Sequence, residues 1–543
     1  MSQSAFLIFP HQLFENTDHL KSNACIFLVE DPLFFYDAKN RPFKIHKLKL
    51  FFHRASMKYY FDYLKDQGFT NVSYLDYDDL VNRNDLFKHL KTCRSEITKI
   101  KCLNPHDQVL KNVYDKLCEK NKIQFEVLED TDMFLMGQKK LEDFYKQNKN
   151  KSRIQHVHFY QIVKEKFDVL ADEPSHDSEN KNVLSRDFKL QTDLVNSTLN
   201  LNDYHDEAFV YITRHKQFKK HYGDIQRFNR KKDAHQKSLE NKENQEGEEI
   251  INIPVTHSDA KKHLQAFLSH RFRCFGHYQD AIHSDYSVLF HSHCSFLLNA
   301  GLLTPHYVVQ EVQKEARKRN SKIPMNSKEG FLRQLLGWRE YMRYIYDFHY
   351  DEITRENVLK QTHSIINKKE WYKGTLGVFP VDNEIHKVIK HGHAHHIIRL
   401  MVFLNFMMLC RVQLADVYQW FMEMVSLDAY PWVMLSNISA MGVYSDKFMR
   451  KPYISTSNYI NNMSNYNRLN HTNNKNWQTL WDNLFYAFLS DKKDEIRKHA
   501  SIYTRNLAHY DRMSPSEKKD LHKNASNFID KYTHKSRRSK RFF

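Results

Sequence analysis

The feature that most constrains the fold is a change of hydrophobic period along the chain. Up to about residue 130, short apolar runs ("FLIFP", "ACIFLVED", "NVSYLDYD", "ITKIKCL", "IQFEVLED") alternate with helix-like stretches such as "ASMKYYFDYLKDQG". Strands alternating with helices read as βαβ units around a mainly parallel sheet, which predicts an α/β domain over residues 1–136. From His257 to about Tyr532 apolar residues recur at three- and four-residue steps, as in "EGFLRQLLGWREYMRYIYDF", which predicts an all-α domain over 257–532. Residues 137–256 are dominated by Lys, Asn, Glu and His, with "SLENKENQEGEEIIN" the most polar piece, and read as a partly disordered connecting region. Residues 533–543 read as a basic tail, and no internal repeat is visible.

Composition narrows the class. With 12 Gly and 12 Pro against 14% aromatic residues, the chain is poor in breakers, as a mostly helical globular protein is. A net charge of +17 favours a polyanionic partner, because Lys and Arg that neutralise phosphates release condensed counterions; a basic enzyme without nucleic acid fits the same number. The tail "HKSRRSKRFF" reads either as a solvated end or as a phosphate-contacting or nuclear-address segment. Seven scattered cysteines with no CxxC pair write neither a zinc knuckle nor a disulfide framework, and they fit a reducing compartment. The start "MSQSAFLIFPHQLF" lacks a basic n-region and a cleavage site, so it reads as a first buried strand. The most apolar stretch, Ile397 to Cys410, is about half a bilayer span and carries Arg399 and Asn405. It reads as a core helix, and no membrane partner is expected.

Four histidines crowd the stretch "HGHAHHIIRLM", His391 to Met401. They admit a metal site, a proton-handling site or packed core. On one helix only His391, His395 and His396 share a useful face, and no Cys or acidic residue lies among them, which weighs against metal. A packed or surface role suits His391 and His393. Ser292 and Ser295 of "SHCSFLLNAGLL" precede an apolar helix, either as ordinary caps or as hydroxyls that hold a diphosphate at a helix start. Arg399 sits mid-helix among apolar residues, where an unpaired charge is costly, so it should find an anion.

In this order, "FGHYQDAI", "SHCSFLLNAGLLTP", "EGFLRQLLGWREYMR", "HAHHIIRLM", "DAYPWVMLSN" and "KPYISTSNYINNMSNY" resemble the photolyase and cryptochrome superfamily. The pattern is most similar to its prokaryotic-type (6-4) branch, often called iron-sulfur bacterial cryptochromes and photolyases. The resemblance covers Gly276 to Tyr466 closely, includes "SHDSENK" (Ser175 to Lys181), and extends loosely over the first domain. It implies a Rossmann-like antenna domain followed by an all-helical FAD-binding domain. It also implies a monomeric, light-driven lyase that passes an electron to a pyrimidine dimer flipped out of UV-damaged DNA.

Residue by residue, the resemblance pairs Arg399 with Asp428 beside the flavin, turns Met434 toward the flavin, and gives Ser292 and Ser295 to the diphosphate. Trp420, next to the ring, and Trp371 would carry photoreduction, with Phe421 standing where relatives often have Tyr; core packing explains both tryptophans equally well. His395 and His396 occupy the family's paired histidines, and His396 matches the one that faces the lesion in (6-4) photolyases, where class I enzymes acting on cyclobutane dimers carry Asn. Leu400 stands in place of the second histidine of eukaryotic (6-4) enzymes. Tyr453 and Tyr459 match lesion-pocket tyrosines. A (6-4) photoproduct has moved an OH or NH between its bases, so repair must move a proton, and histidine suits that near neutral pH. Repair of cyclobutane dimers, or signalling by a cryptochrome without repair, remain alternatives.

Two departures stand out. The branch's four-cysteine cluster has no counterpart: Asn467, Asn470 and about Leu480 stand at three thiolate positions, the interval from Trp371 to His396 holds no cysteine, and none follows Cys410. No iron-sulfur cluster is therefore expected, with Trp477, Trp481 and Phe485 packing in its stead. The antenna is in doubt as well. Relatives hold a ribityllumazine with an Asp and a Glu, whereas this chain has His11 and Phe34 there. Its pocket holds another chromophore or none.

Overall fold

The computed structural model describes residues 4–21, 24–93, 97–129, 132–170, 172–185, 188, 202–225, 253–449, 451–466, 477–499 and 503–536. Five strands, β1 (Ser4–Ile8), β2 (Cys25–Val29), β3 (Val72–Leu75), β4 (Lys99–Leu103) and β5 (Gln124–Leu128), form one sheet in the order β3-β2-β1-β4-β5. Every pairing is parallel, with Ala5 beside Cys25 and Ile100, and Leu103 beside Leu128. The central strands "SAFLI" and "CIFLV" are apolar on both faces because helices cover both, whereas edge strand β5 keeps polar residues and partial exposure. The α/β expectation holds.

The helix Lys47–Asp66 joins the two halves of the molecule. Its residues from Leu48 to Met57 are buried without a gap, including Lys49, His53 and Arg54, so it has no solvent stripe there. Lys49 Nζ donates to Ala429 O at 2.5 Å, His53 meets the Tyr430 hydroxyl at 3.1 Å, and His46 reaches Ile389 O at 3.0 Å. These polar contacts fix how the sheet domain sits on the helical domain. Arg54 ties Glu30, Asp76 and Glu207 together, while Arg41 and Asp107 form a buried bidentate pair at 2.7 and 2.8 Å.

The described residues within 137–256 form more helix than their composition suggests. They contain the helices Gln138–Asn148, His156–Phe167 and Asp203–Arg214, the last packed on Lys47–Asp66. Each buries only a few residues, Ala208 and Ile212 for instance, so the helical period is diluted by a wide polar face. The segment "SLENKENQEGEEIIN" and tail residues 537–543 lie outside the described residues. The second half is helical as expected, apart from an antiparallel pair of short strands, β6 (His363–Ile365) and β7 (Thr533–Lys535). The tail thus begins as a strand. Among the described residues no helix is long and apolar enough to cross a membrane.

The cysteine reading needs one correction. Cys25 at the head of β2 and Cys93 at the end of the helix Leu86–Cys93 form a disulfide, with their Cα atoms 6.3 Å apart. The two are 68 residues apart in sequence, and only the docking of that helix against the sheet brings them together.

Candidate active site

The histidine-rich stretch is not one helix. The helix Phe379–His391 stops at Gly392, whose φ of +60° favours glycine and where an added Cβ would lie 3.2 Å from His46 Nδ1. Residues 393–395 are non-helical, and the chain resumes helical form at His396. His391 and His395 therefore do not share a face. Among the described residues no group of three or more His, Cys, Asp or Glu could hold a metal ion.

Beyond the break, Ile398–Leu404 runs as a π-helix, and so does Arg333–Arg339 opposite it, with the Trp338 ring 6.3 Å from that of His396. Such widened turns recur at functional sites because they re-aim side chains. Here His396, Arg399, Leu400, Phe421, Met434 and Asn437 wall one cavity. The structure thus brings together His396 and Arg399 of one motif and Met434 of another. Phe421 lines the cavity, and the Trp420 ring lies 5.4 Å from the Phe421 ring between centroids. Trp420 Nε1 donates to Trp371 O at 3.0 Å, and Trp371 Nε1 donates to Tyr532 O at 3.2 Å. The two tryptophans are neighbours, both fully buried.

Asp428 corrects a second expectation. Its carboxylate takes His393 Nδ1 at 2.5 Å and the Ser295 hydroxyl at 2.5 Å, and no ion pair to Arg399 forms. The non-helical turn at 393–395 delivers His393 to that carboxylate, a placement no sequence signal separates from that of His391. Burial works against ionisation of Asp428, but His393 and then Arg399 hold its carboxyl well below the usual range. Arg399 therefore acts on it at a distance. Its own Nε is buried without a partner, and burial lowers the guanidinium against the pull of Asp428. Ser292 stands apart: its hydroxyl accepts from Cys294 N at 3.3 Å, and its carbonyl meets His263 Nε2 at 3.0 Å.

His395 stacks on His291, with centroids 4.4 Å apart and planes 12° from parallel, and neither of its ring nitrogens has a partner. Burial, followed by Arg399 and Arg333, pushes His396 down to about 3, so this imidazole is neutral at pH 7 and does not titrate there as the sequence suggested. Arg333 links it to the tyrosines. Arg333 pairs with Asp177 of "SHDSENK" at 2.9 Å, and Tyr453 and Tyr459 are both raised by burial, with Asp177 adding to it. Tyr459 also hydrogen-bonds Asp280, whose carboxyl is pushed up to about 6 by burial and Asp177. Asp177 and Asp280 were missed, although each lies inside a motif quoted above.

His11 and Phe34 stack on each other, with centroids 4.8 Å apart and planes at 27°, and both are buried. His11 Nε2 meets Pro105 O at 2.8 Å, and burial lowers the imidazole to about 4. A neutral imidazole and a phenyl ring thus replace the two carboxylates that relatives turn to a ribityllumazine, and this donor set does not fit that group. Chromophore extracted from the purified protein should contain little or no lumazine; lumazine in equal amount to FAD would refute this.

Asn467 and Asn470 lie outside the described residues. Leu480 falls on the helix Trp477–Asp491, where Trp477, Trp481 and Phe485 are buried and Trp481 Nε1 donates to Ser455 O at 2.9 Å. Metal analysis should find no stoichiometric iron, whereas about four irons per chain would overturn that expectation.

A parallel-sheet domain docked on a helical domain, with a cavity walled by a cation, a methionine and aromatic rings, has clear counterparts. The family model for deoxyribodipyrimidine photo-lyase-related protein matches residues 6–230. A (6-4) photolyase from Agrobacterium fabrum is 33% identical over 291 residues, which cover 52% of this chain and 56% of that protein. The chain thus spans little more than half the length of that curated relative. Uncharacterized protein R855 of Acanthamoeba polyphaga mimivirus is 40% identical over 114 residues, covering 21% of this chain and 85% of that one. The solved structure of a bacterial class III photolyase from Agrobacterium tumefaciens superposes with a TM-score of 0.52 over 98% of both chains at 13% identity, a likeness of fold. Together the partial family match, the (6-4) photolyase relative and the shared fold support a place in the photolyase/cryptochrome superfamily.

Proposed function

We propose that the protein is a blue-light-driven, FAD-dependent DNA photolyase that repairs (6-4) pyrimidine-pyrimidone photoproducts. The observation that carries this reading is the shared cavity wall of His396, Arg399 and Met434, backed by Trp420 and Trp371. The donor set fits a flavin, since the buried, unpartnered Nε of Arg399 suits an electron-rich ring edge and Phe421 and Met434 supply apolar contact. FAD, when bound, supplies the photoexcited electron. The cavity encloses about 30 Å³, room for one water, so seating a ring system requires the surrounding side chains to part.

The chain's own residues then have distinct tasks. Asp428, anchored by Ser295 and His393, fixes the local charge that offsets Arg399. His396 holds a neutral imidazole N–H toward the lesion, and DNA phosphates entering the pocket oppose Arg399 and Arg333 and raise its proton affinity. Tyr453 and Tyr459 border the same approach through Asp177 and Arg333.

A damaged-oligonucleotide assay tests the reading. Purified protein, illuminated with blue light, should remove (6-4) lesions from a defined duplex and leave cyclobutane dimers intact. Loss of the dimers alone would make it a cyclobutane-dimer photolyase. Photoreduction of flavin with no lesion lost would make it a photoreceptor.

A further inference from the structure

A second cavity, of about 480 Å³, lies between the helices Trp477–Asp491 and Pro515–Tyr532 and the β6–β7 pair. It shares no lining residue with the cavity at His396. Its size falls in the range of small-molecule sites, and its wall is polar and cationic, with Lys360, Arg411, Lys492 and Lys535 contributing. Arg411 is matched by Asp491 at 2.7 Å and Lys360 by Glu495 at 2.7 Å. Lys492 and Lys535 make no ion pair among the described residues, and Asp530 is the one remaining carboxylate of the lining.

Three further observations point to a ligand here. Lys360 and Arg411 both hold left-handed backbone, at φ +50° and +60°, a strain that non-glycine residues keep only where surrounding structure enforces it, often at ligand clamps. His363 Nδ1 is buried in the wall without a partner. Burial lowers the Lys492 ammonium against the pull of Glu495 and Asp491, with Arg411 and Lys360 adding to the lowering, and an anion entering the cavity would favour its charged form.

We propose that this cavity binds a small phosphate monoester, gripped by Lys492 and Lys535 and hydrogen-bonded by the Thr362 and Ser526 hydroxyls. A monoester carries close to two negative charges at neutral pH, which the ammonium groups of Lys535 and of Lys492, the latter donating to Lys360 O at 3.2 Å, can match, whereas a backbone phosphodiester carries one. The test is calorimetric titration of the full chain with adenosine 5′-monophosphate and, separately, with a dinucleotide that has a phosphodiester and no terminal phosphate. The monoester should bind at least about tenfold more tightly, the scale of one charge-assisted contact. Lys492→Gln and Lys535→Gln should each weaken it about tenfold or more while flavin content stays unchanged. Lys535 is exposed, so its variant keeps the test valid if Lys492→Gln fails to fold. Unchanged binding in Lys535→Gln overturns the proposal. Equal affinity for the diester overturns it too, and would give the surface to a nucleic-acid backbone.

Discussion

His396→Asn should keep FAD and its photoreduction through Trp420, yet lower (6-4) repair by at least about a hundredfold, the scale of a lost general acid. Asparagine preserves a hydrogen-bond donor of similar reach but cannot release a proton. The contact of Trp420 with Trp371 does not involve the imidazole, and asparagine keeps a polar side chain in the cavity wall that His396 shares with Arg399 and Met434, so those functions should persist. The neutral state of His396 sharpens the expectation: burial, Arg399 and Arg333 keep the ring uncharged until substrate arrives, so repair should depend on the phosphates flanking the lesion. Repair by His396→Asn at the parental rate would remove the proton-donor role and leave the histidine as packing.

Asp428→Ala should be the most damaging single change to the fold of the site, destabilising the protein by about 3–5 kcal/mol and abolishing FAD retention. It strands His393 and Ser295 and removes the anion that offsets the buried Lys49 and Arg399. Arg399→Ala should cost less, because Asp428 keeps both of its direct partners. Thermal melts of the two variants decide the order, and a greater loss in Arg399→Ala would show that the pair is direct in solution. The pH dependence has a definite sign. A carboxyl held below its ordinary value contributes stability at neutral pH that disappears as pH falls through and below about 3.9. Asp428→Ala should therefore lose part of the parent's acid sensitivity.

Much of this molecule was legible before any coordinate. The run "ACIFLVED", one of the short apolar runs alternating with helical stretches, reads as a strand, and β2 is fully buried there. The resemblance of the helical half's motifs pointed to His396, Arg399 and Met434 as residues of one site, and in the structure the three wall one cavity. Residues 137–256 were harder, since a helix that buries only His205, Ala208 and Ile212 along one edge is nearly indistinguishable from a polar linker by period alone.

Sequence by itself determined the alternation of strands and helices in the first domain, the helical character of the second, the two-domain order, the absence of any cysteine after Cys410, and the residue types available for chemistry. Those properties follow from local periodicity and composition. Only the tertiary structure decided that Gly392 breaks the histidine stretch, that Asp428 pairs with His393 and Ser295 instead of Arg399, and that Cys25 meets Cys93. Partner choice among buried groups depends on which donors reach a carboxylate within hydrogen-bond distance once elements far apart in sequence have packed, and no one-dimensional pattern carries that information.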